Sequence, residues 1–122
     1  MPSRSKKKIC IADDDKAVRE SLCAFLEACG YQVEAYARGD EFLLRADVQN
    51  ADCLLLDLDI PGASGQQILE RLRARGVTTP AIVLTTNGKR LGTRLQKAGV
   101  LKVLAKPVTG EELLLWLEKA CS

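Results

Sequence analysis

Residues 53–57 read Cys-Leu-Leu-Leu-Asp, four consecutive apolar residues that end in a carboxylate. An apolar run of this length without polar alternation is typical of a strand buried on both faces of a parallel sheet. Similar short runs stand at residues 9–12 and 81–84, and residues 100–105 are apolar apart from Lys102. Residues 31–36 alternate between apolar and polar as a half-exposed strand does. The sequence therefore predicts five strands.

Helical patterns separate these strands. They occupy residues 16–29, 41–46 and 89–98, another helix ends before Gly76, and the last begins at a capping box of Thr109 and Glu112. Asp15 is predicted to cap the first helix. Single helices between strands predict an α/β fold, a doubly wound five-stranded parallel sheet with helices on both faces. Ligands of such sheets bind beyond the carboxyl ends of the strands.

Composition limits the number of domains and the function classes. The chain has 122 residues, of which 47% are hydrophobic, enough for one compact domain. We expect a basic N-terminal extension over residues 1–7 and a single domain over residues 8–122. A net charge of +2 gives no reason to expect direct nucleic-acid binding by this segment. The apolar runs are far shorter than the ~20 residues that span a membrane, so no membrane association is expected.

The cysteine and histidine counts narrow the chemistry further. The five cysteines form no CxxC pair or metal-ligand spacing and fall in apolar stretches, which predicts reduced, inert thiols in a cytoplasmic protein. The absence of histidine excludes Ser-His and Cys-His catalysis, imidazole metal ligands and a phosphohistidine step on this chain. Carboxylates, hydroxyls and lysine are left to carry any reaction.

Polar residues suited to phosphate chemistry follow four of the five predicted strands: Asp13 and Asp14, Asp57, Thr85, and Lys106. Carboxyl ends of parallel strands share one edge of the sheet, so these side chains should converge. Three neighbouring carboxylates repel one another, and a hard cation such as Mg²⁺ would compensate their charge. A carboxylate can attack a phosphoryl group. Mg²⁺, the Lys106 ammonium and the Thr85 hydroxyl would then neutralise the charge on its equatorial oxygens.

Four stretches together resemble the receiver domain of bacterial two-component response regulators. They are residues 9–43, ICIADDDKAVRESLCAFLEACGYQVEAYARGDEFL; residues 54–65, LLLDLDIPGASG; residues 83–88, VLTTNG; and residues 104–107, LAKP. The resemblance runs from about Lys8 to the end of the chain. It implies a flavodoxin-like (βα)5 fold with the strand order 2-1-3-4-5.

The resemblance also implies a role for each matching position. Asp57 matches the phosphoacceptor. Asp13 and Asp14 match the acidic pair that holds Mg²⁺ together with Asp57, Asp14 being the favoured direct ligand, and Asp59 matches the position whose backbone carbonyl completes the metal site. Thr85 matches the switch hydroxyl. Lys106 matches the lysine that contacts the phosphoryl group, and its bond to the following proline is expected to be cis.

A receiver of this kind accepts its phosphoryl group from a sensor histidine kinase and changes conformation to regulate an output partner or a C-terminal output domain. We therefore expect a phosphoacceptor signalling domain, with no enzymatic activity beyond self-phosphorylation from phosphodonors and autodephosphorylation. A transcriptional output and a phosphorylation-dependent homodimer are both left open. The sequence identifies neither the cognate kinase nor the phosphoryl lifetime.

Two departures from the family pattern concern the output switch. The family usually has an aromatic residue three positions before its lysine, where this chain has Val103. The stretch between Thr85 and Lys106 is also about one residue shorter than usual, and Gly92 weakens the helix predicted there. The phosphorylation residues match the family, whereas the means of switching without an aromatic at Val103 is not given by the sequence.

Two other functions compete with the receiver interpretation. Asp57-Leu58-Asp59 also resembles the DxD motif of haloacid-dehalogenase-like phosphohydrolases. Thr85 and Lys106 would then take the roles of that family's functional residues later in the sequence. The acid pair before the nucleophile and the lack of a cap domain argue against a phosphohydrolase. The chain could also keep only the fold, as an unphosphorylated interaction module. The complete set of pocket residues argues against that function.

Overall fold

A five-stranded parallel sheet organises the protein in the computed structural model, which describes residues 6–86 and 96–121. The strands are β1 (Lys8–Ala12), β2 (Gln32–Tyr36), β3 (Cys53–Asp57), β4 (Ala81–Thr85) and β5 (Val100–Ala105). Their order is β2-β1-β3-β4-β5, and every neighbouring pair is parallel. This order confirms the predicted doubly wound, flavodoxin-like fold.

Four helices of the described residues connect or follow these strands. They are α1 (Lys16–Ala28), α2 (Gly39–Arg45), α3 (Gly65–Ala74) and α4 (Gly110–Cys121), and a short 3-10 turn spans Val48–Asn50. None of the helices within residues 6–86 and 96–121 is long and apolar enough to cross a membrane.

The central strand β3 is buried along its whole length because both of its faces are covered. Leu54 and Leu56 belong to a core layer shared with Phe42 of α2 and three residues of α3. Cys53 and Leu55 belong to the opposite layer, shared with α1 and α4. Each leucine side chain removed from water in this way contributes roughly 1.5–3 kcal/mol to the stability of the folded state. This two-sided burial explains why the segment carries no polar alternation.

Caps fix where the helices begin at the carboxyl edge of the sheet. The Asp15 side chain accepts a hydrogen bond from the Val18 N–H at 3.2 Å, which confirms the predicted cap of α1. Ser64 and Gln67 form a reciprocal capping box at the start of α3. The Thr109 hydroxyl accepts from the Glu112 N–H at 3.2 Å, as one half of the box predicted before α4 requires. These caps therefore fix the residues at which three helices begin, shortly after β1, β3 and β5 end.

Several predicted boundaries differ from the structure. The helix predicted over residues 41–46 begins at Gly39 and ends at Arg45. Cys29 was predicted on the apolar face of the first helix, but it is exposed because α1 ends at Ala28. Of the helix predicted over residues 89–98, residues 89–95 lie outside the described part of the chain.

Candidate functional site

The carboxyl ends of four strands bring the predicted site residues to one edge of the sheet. The register pairs Asp57 with Leu84, and Thr85 with Ala105. The Lys106 N–H then donates to the Thr85 carbonyl at 2.8 Å, just past the end of the β4–β5 ladder. Asp13 and Asp14 follow β1 directly. Residues distant in the sequence are thus adjacent because their strands end together.

An acid cluster lies at this edge. Asp13, Asp14 and Asp57 each offer a carboxylate oxygen, and the three oxygens lie within 4.8 Å of one another. Asp13 is fully buried, Asp57 is 4% exposed, and Asp14 is open to solvent. Carboxylates this close repel one another unless positive charge is supplied. The cluster therefore needs a cationic partner.

Main-chain donors fix the two buried carboxylates. The Asp15 N–H donates to Asp13 Oδ1 at 3.0 Å, and the Asp59 N–H donates to Asp57 Oδ1 at 3.1 Å. In each case the donor lies two residues after the acid, as in an Asx turn. These bonds occupy one oxygen of each carboxylate and leave Oδ2 directed to other partners.

Lys106 supplies one positive charge. Its Nζ lies 2.7 Å from Asp13 Oδ2 and 3.1 Å from Asp57 Oδ2, and the lysine side chain is 14% exposed. Burial alone would lower the pKa of Lys106, but its contacts with Asp13 and Asp57 outweigh that effect and raise the pKa above the ordinary lysine value. The side chain is therefore an ammonium at neutral pH.

Asp14 differs from the other two acids, because Lys106 pairs with Asp13 and Asp57 but not with Asp14. Partial loss of hydration raises the pKa of Asp14, and the neighbouring charges of Asp57 and Asp13 raise it further. Three carboxylates against one ammonium leave two negative charges when all are ionised. A divalent cation would neutralise that excess.

Two buried oxygens test whether the site suits a ligand. Within the described residues, Asp13 Oδ2 and the Thr85 hydroxyl have no hydrogen-bond partner, and the 2.7 Å contact of Asp13 Oδ2 with Lys106 is an ion pair without hydrogen-bond geometry. Buried polar atoms in this condition are rare and often mark an ion or ligand position. An all-oxygen acidic set fits Mg²⁺, and a buried hydroxyl without a partner fits an anionic oxygen.

The structure brings most, but not all, of the predicted site residues together. Asp13, Asp14, Asp57, Thr85 and Lys106 share the carboxyl edge of the sheet, and the Lys106–Pro107 peptide bond has the predicted cis form. Asp59 is exposed and does not belong to the acid cluster. The assignment of its backbone carbonyl to a metal stays a prediction.

The sequence pattern did not single out two residues that support the acids. Arg19 on α1 donates from Nη1 to the backbone carbonyl of Asp13 at 2.9 Å. A side chain on Gly65 would place its Cβ only 2.7 Å from the Asp57 carbonyl oxygen. Nothing in the sequence distinguishes Arg19 from a surface arginine. Gly65 had a weak signal, since it closes the Pro-Gly-rich loop that follows Asp57.

Comparison with known proteins confirms the predicted resemblance to receiver domains. The family model of the response regulator receiver domain matches residues 9–118. The tetrathionate response regulatory protein TtrR of Salmonella typhimurium is 34% identical over 111 residues, covering 90% of this chain and 54% of TtrR. The transcriptional regulatory protein ResD of Bacillus subtilis is 32% identical over 117 residues, covering 94% of this chain and 48% of ResD. This chain thus spans about half the length of these relatives.

Solved structures agree with this comparison. The response regulator StyR superposes with a TM-score of 0.90 at 32% identity, covering 96% of this chain and 60% of that chain. The FixJ-N crystal structure superposes with a TM-score of 0.85 at 30% identity, covering 97% of this chain and 95% of that chain. Nothing in these matches favours the phosphohydrolase interpretation of Asp57 and Asp59.

Proposed function

This chain belongs to the response regulator receiver domain family, and we propose that it accepts a phosphoryl group on Asp57 from a sensor histidine kinase. The observation that carries the proposal is the 3.1 Å contact of the buried Asp57 carboxylate with the Lys106 ammonium, at the sheet edge where β4 ends in Thr85. The buried Thr85 hydroxyl has no hydrogen-bond partner among the described residues. Phosphorylation would then change the conformation and so regulate an output partner or output domain.

The transfer itself is a displacement at phosphorus. An oxygen of the Asp57 carboxylate attacks the phosphorus, an O–P bond forms, and the bond from phosphorus to the donor breaks with its electron pair leaving on the donor. The product is an acyl phosphate. Lys106 Nζ, 3.1 Å from Asp57 Oδ2, is placed to pair with a phosphoryl oxygen, and the Thr85 hydroxyl gains an acceptor for its unused hydrogen.

Asp13, Asp14 and Asp57 would hold Mg²⁺, with the Asp59 backbone carbonyl as a further proposed ligand. When bound, Mg²⁺ supplies positive charge that offsets the charge on the oxygens of the transferring group. The protein contributes fixed ligands, since Asp13 and Asp57 are buried and hydrogen-bonded to the main chain. Asp14 is the exposed member, so it is the ligand that solvent can reach directly.

A largely apolar cavity of about 450 Å³ adjoins the site, and we propose it as the docking position of the kinase. Its lining includes Val18 and Leu22 of α1 together with Pro107 and Val108. Lys106 lines it as well, so a protein seated there would lie next to the phosphoacceptor. This continuity with the site supports a protein phosphodonor.

Broader features of the proposal rest on the relatives and on composition. ResD is a transcriptional regulatory protein by name, which supports a transcriptional output for the whole protein. We propose residues 8–122 as the receiver unit, preceded by a basic extension over residues 1–7, and a cytoplasmic location. Five free thiols support a reducing compartment.

Incubation with acetyl phosphate and Mg²⁺ tests the proposal directly. Intact-mass spectrometry should show one phosphoryl group per chain, and a chelator added beforehand should prevent it. A phosphohydrolase would instead turn over p-nitrophenyl phosphate many times without accumulating a labelled chain. No mass increase at saturating phosphodonor and Mg²⁺ would contradict the proposed function.

Mg²⁺ should also stabilise the fold, because it binds the assembled acid cluster and scarcely binds the unfolded chain. When the Mg²⁺ concentration is about tenfold above its dissociation constant, the free energy of unfolding rises by roughly 1.4 kcal/mol. For a domain of this size that gain is several degrees in melting temperature. Asp14→Ala should remove most of the response, whereas Glu27→Ala, an exposed acid on α1, should leave it intact. If millimolar Mg²⁺ does not change the melting temperature of the unchanged protein, that result would argue against the metal site.

A further inference from the structure

A close backbone contact joins the start of α2 to the loop after Asp57. The Gly39 N–H donates to the Pro61 carbonyl oxygen at 2.8 Å. Gly39 is the first residue of α2, and the preceding Arg38 provides no side-chain cap. The first N–H groups of a helix lack partners within it. The loop carbonyl therefore satisfies a helix donor, and the two segments are tied together.

Only glycine fits at position 39. A Cβ there would lie 1.9 Å from the Ala63 carbonyl oxygen and 2.8 Å from the Ala63 carbonyl carbon. Both atoms belong to the backbone, so a rotamer change cannot relieve the collision. Gly39 does not have the positive φ found at Gly62 or Gly76. Glycine is therefore needed here because a side chain has no room, and not because of the backbone conformation. Any side chain would displace the loop.

The same loop is held from its other side by Gly65. The Gly65 N–H donates to the Leu58 carbonyl at 3.1 Å, and a Cβ on Gly65 would lie 2.7 Å from the Asp57 carbonyl oxygen. Residues 59–63 thus run between two tight backbone contacts. Asp59 lies within this span, and its N–H donates to the Asp57 carboxylate.

We propose that Gly39 is a positioning residue for metal binding: its contact with Pro61 and Ala63 sets the path of the loop that carries the Asp59 backbone. The inference rests on the proposed function, since it concerns the same metal site. It extends the site to a turn after β2, the one strand whose end carries none of the predicted site residues. Gly39 touches neither metal nor phosphoryl group and acts only through the loop.

Calorimetric titration of the full chain with Mg²⁺ tests this role without relying on phosphorylation. Gly39→Ala should raise the Mg²⁺ dissociation constant about tenfold, in the range seen when groups behind metal ligands are changed. Gly76→Ala is the matched control. Gly76 has a φ of +85°, and a Cβ added there would meet nothing within 4 Å, so the substitution strains the backbone and lowers the melting temperature without moving the loop. Its dissociation constant should equal that of the unchanged protein.

The outcomes separate this inference from the proposed function. If the unchanged protein binds no Mg²⁺, both fail. If it binds Mg²⁺ and is phosphorylated while folded Gly39→Ala binds Mg²⁺ equally well, only the role of Gly39 is overturned.

A second variant decides the matter if circular dichroism shows that Gly39→Ala does not fold. Gly62→Ala places a Cβ 2.3 Å from the Asp40 carboxylate at a φ of +87°, close to the φ of Gly76. It should raise the dissociation constant because the positive φ strains the backbone of the loop itself, whereas the exposed Asp40 side chain can rotate away from the Cβ. An unchanged constant in Gly62→Ala would overturn the inference.

Discussion

Replacing Lys106 with methionine is expected to lower the free energy of unfolding by about 3–5 kcal/mol in Mg²⁺-free buffer, the usual cost of removing one partner from a buried ion pair. Asp13 is fully buried and Asp57 nearly so, and Lys106 Nζ contacts both. Methionine has a similar length but no charge, so both carboxylates would lose their positive partner. Urea denaturation followed by circular dichroism measures the loss.

The pH dependence of this contribution follows from the raised pKa of Lys106. A group whose pKa is higher in the folded state stabilises the protein fully below its unfolded pKa, here about 10.4. The contribution is lost as the pH rises through the higher folded pKa. The difference between Lys106→Met and the unchanged protein should thus be constant near neutral pH and shrink only in strong alkali.

Lys97→Met is the matched control, because Lys97 is exposed. Its effect on stability should stay within about 0.5 kcal/mol. Mg²⁺ should restore part of the stability of Lys106→Met, while phosphorylation from acetyl phosphate should remain slower by on the order of a hundredfold or more. A stability loss below about 1 kcal/mol, the level of an exposed pair, would show that Lys106 does not neutralise buried charge.

The strands and the strand-end residues could be predicted from the sequence because their signals are local. Four apolar residues before Asp57 indicate burial on both faces, and the structure shows this burial in the central parallel strand β3. Once the strands are parallel, the positions of Asp13, Thr85 and Lys106 follow from where each strand ends. The convergence of the site thus follows from topology and needs no knowledge of side-chain contacts.

The supporting contacts could not be predicted, because they join segments by close backbone approach. The Gly39 N–H donates to the carbonyl of Pro61, which lies 22 residues away in the sequence. Nothing in the neighbouring sequence distinguishes Gly39 from a turn glycine. The same contact explains the misplaced start of α2, because Pro61 caps the helix at Gly39 from outside. Arg19 likewise acts on the Asp13 carbonyl through tertiary geometry.

At Val103 the sequence predicted the lack of an aromatic residue but not how the protein switches without one. The residue is half-buried and packs against the core layer that includes Val83, its register partner on β4. A valine there fills space in the core without offering a ring that can swing. The sequence therefore predicted that no aromatic responds at this position, but how phosphorylation of Asp57 would reach an output partner depends on contacts that residue types do not encode.

Asp57→Asn is expected to abolish phosphorylation completely. The amide of asparagine has no negative oxygen to attack phosphorus, whereas in the unchanged protein Asp57 Oδ2 contacts Lys106 and Asp57 Oδ1 accepts from the Asp59 N–H. Asp59→Asn is the matched control two residues away. The proposed contribution of Asp59 comes from its backbone, and its side chain is outside the acid cluster, so this variant should still be labelled.

Intact-mass spectrometry of these proteins after incubation with acetyl phosphate and Mg²⁺ tests the central claim most directly. We predict one added phosphoryl group on the unchanged protein and on Asp59→Asn, and none on Asp57→Asn. Labelling of Asp57→Asn to the level of the unchanged protein would contradict the assignment of Asp57 as the phosphoacceptor.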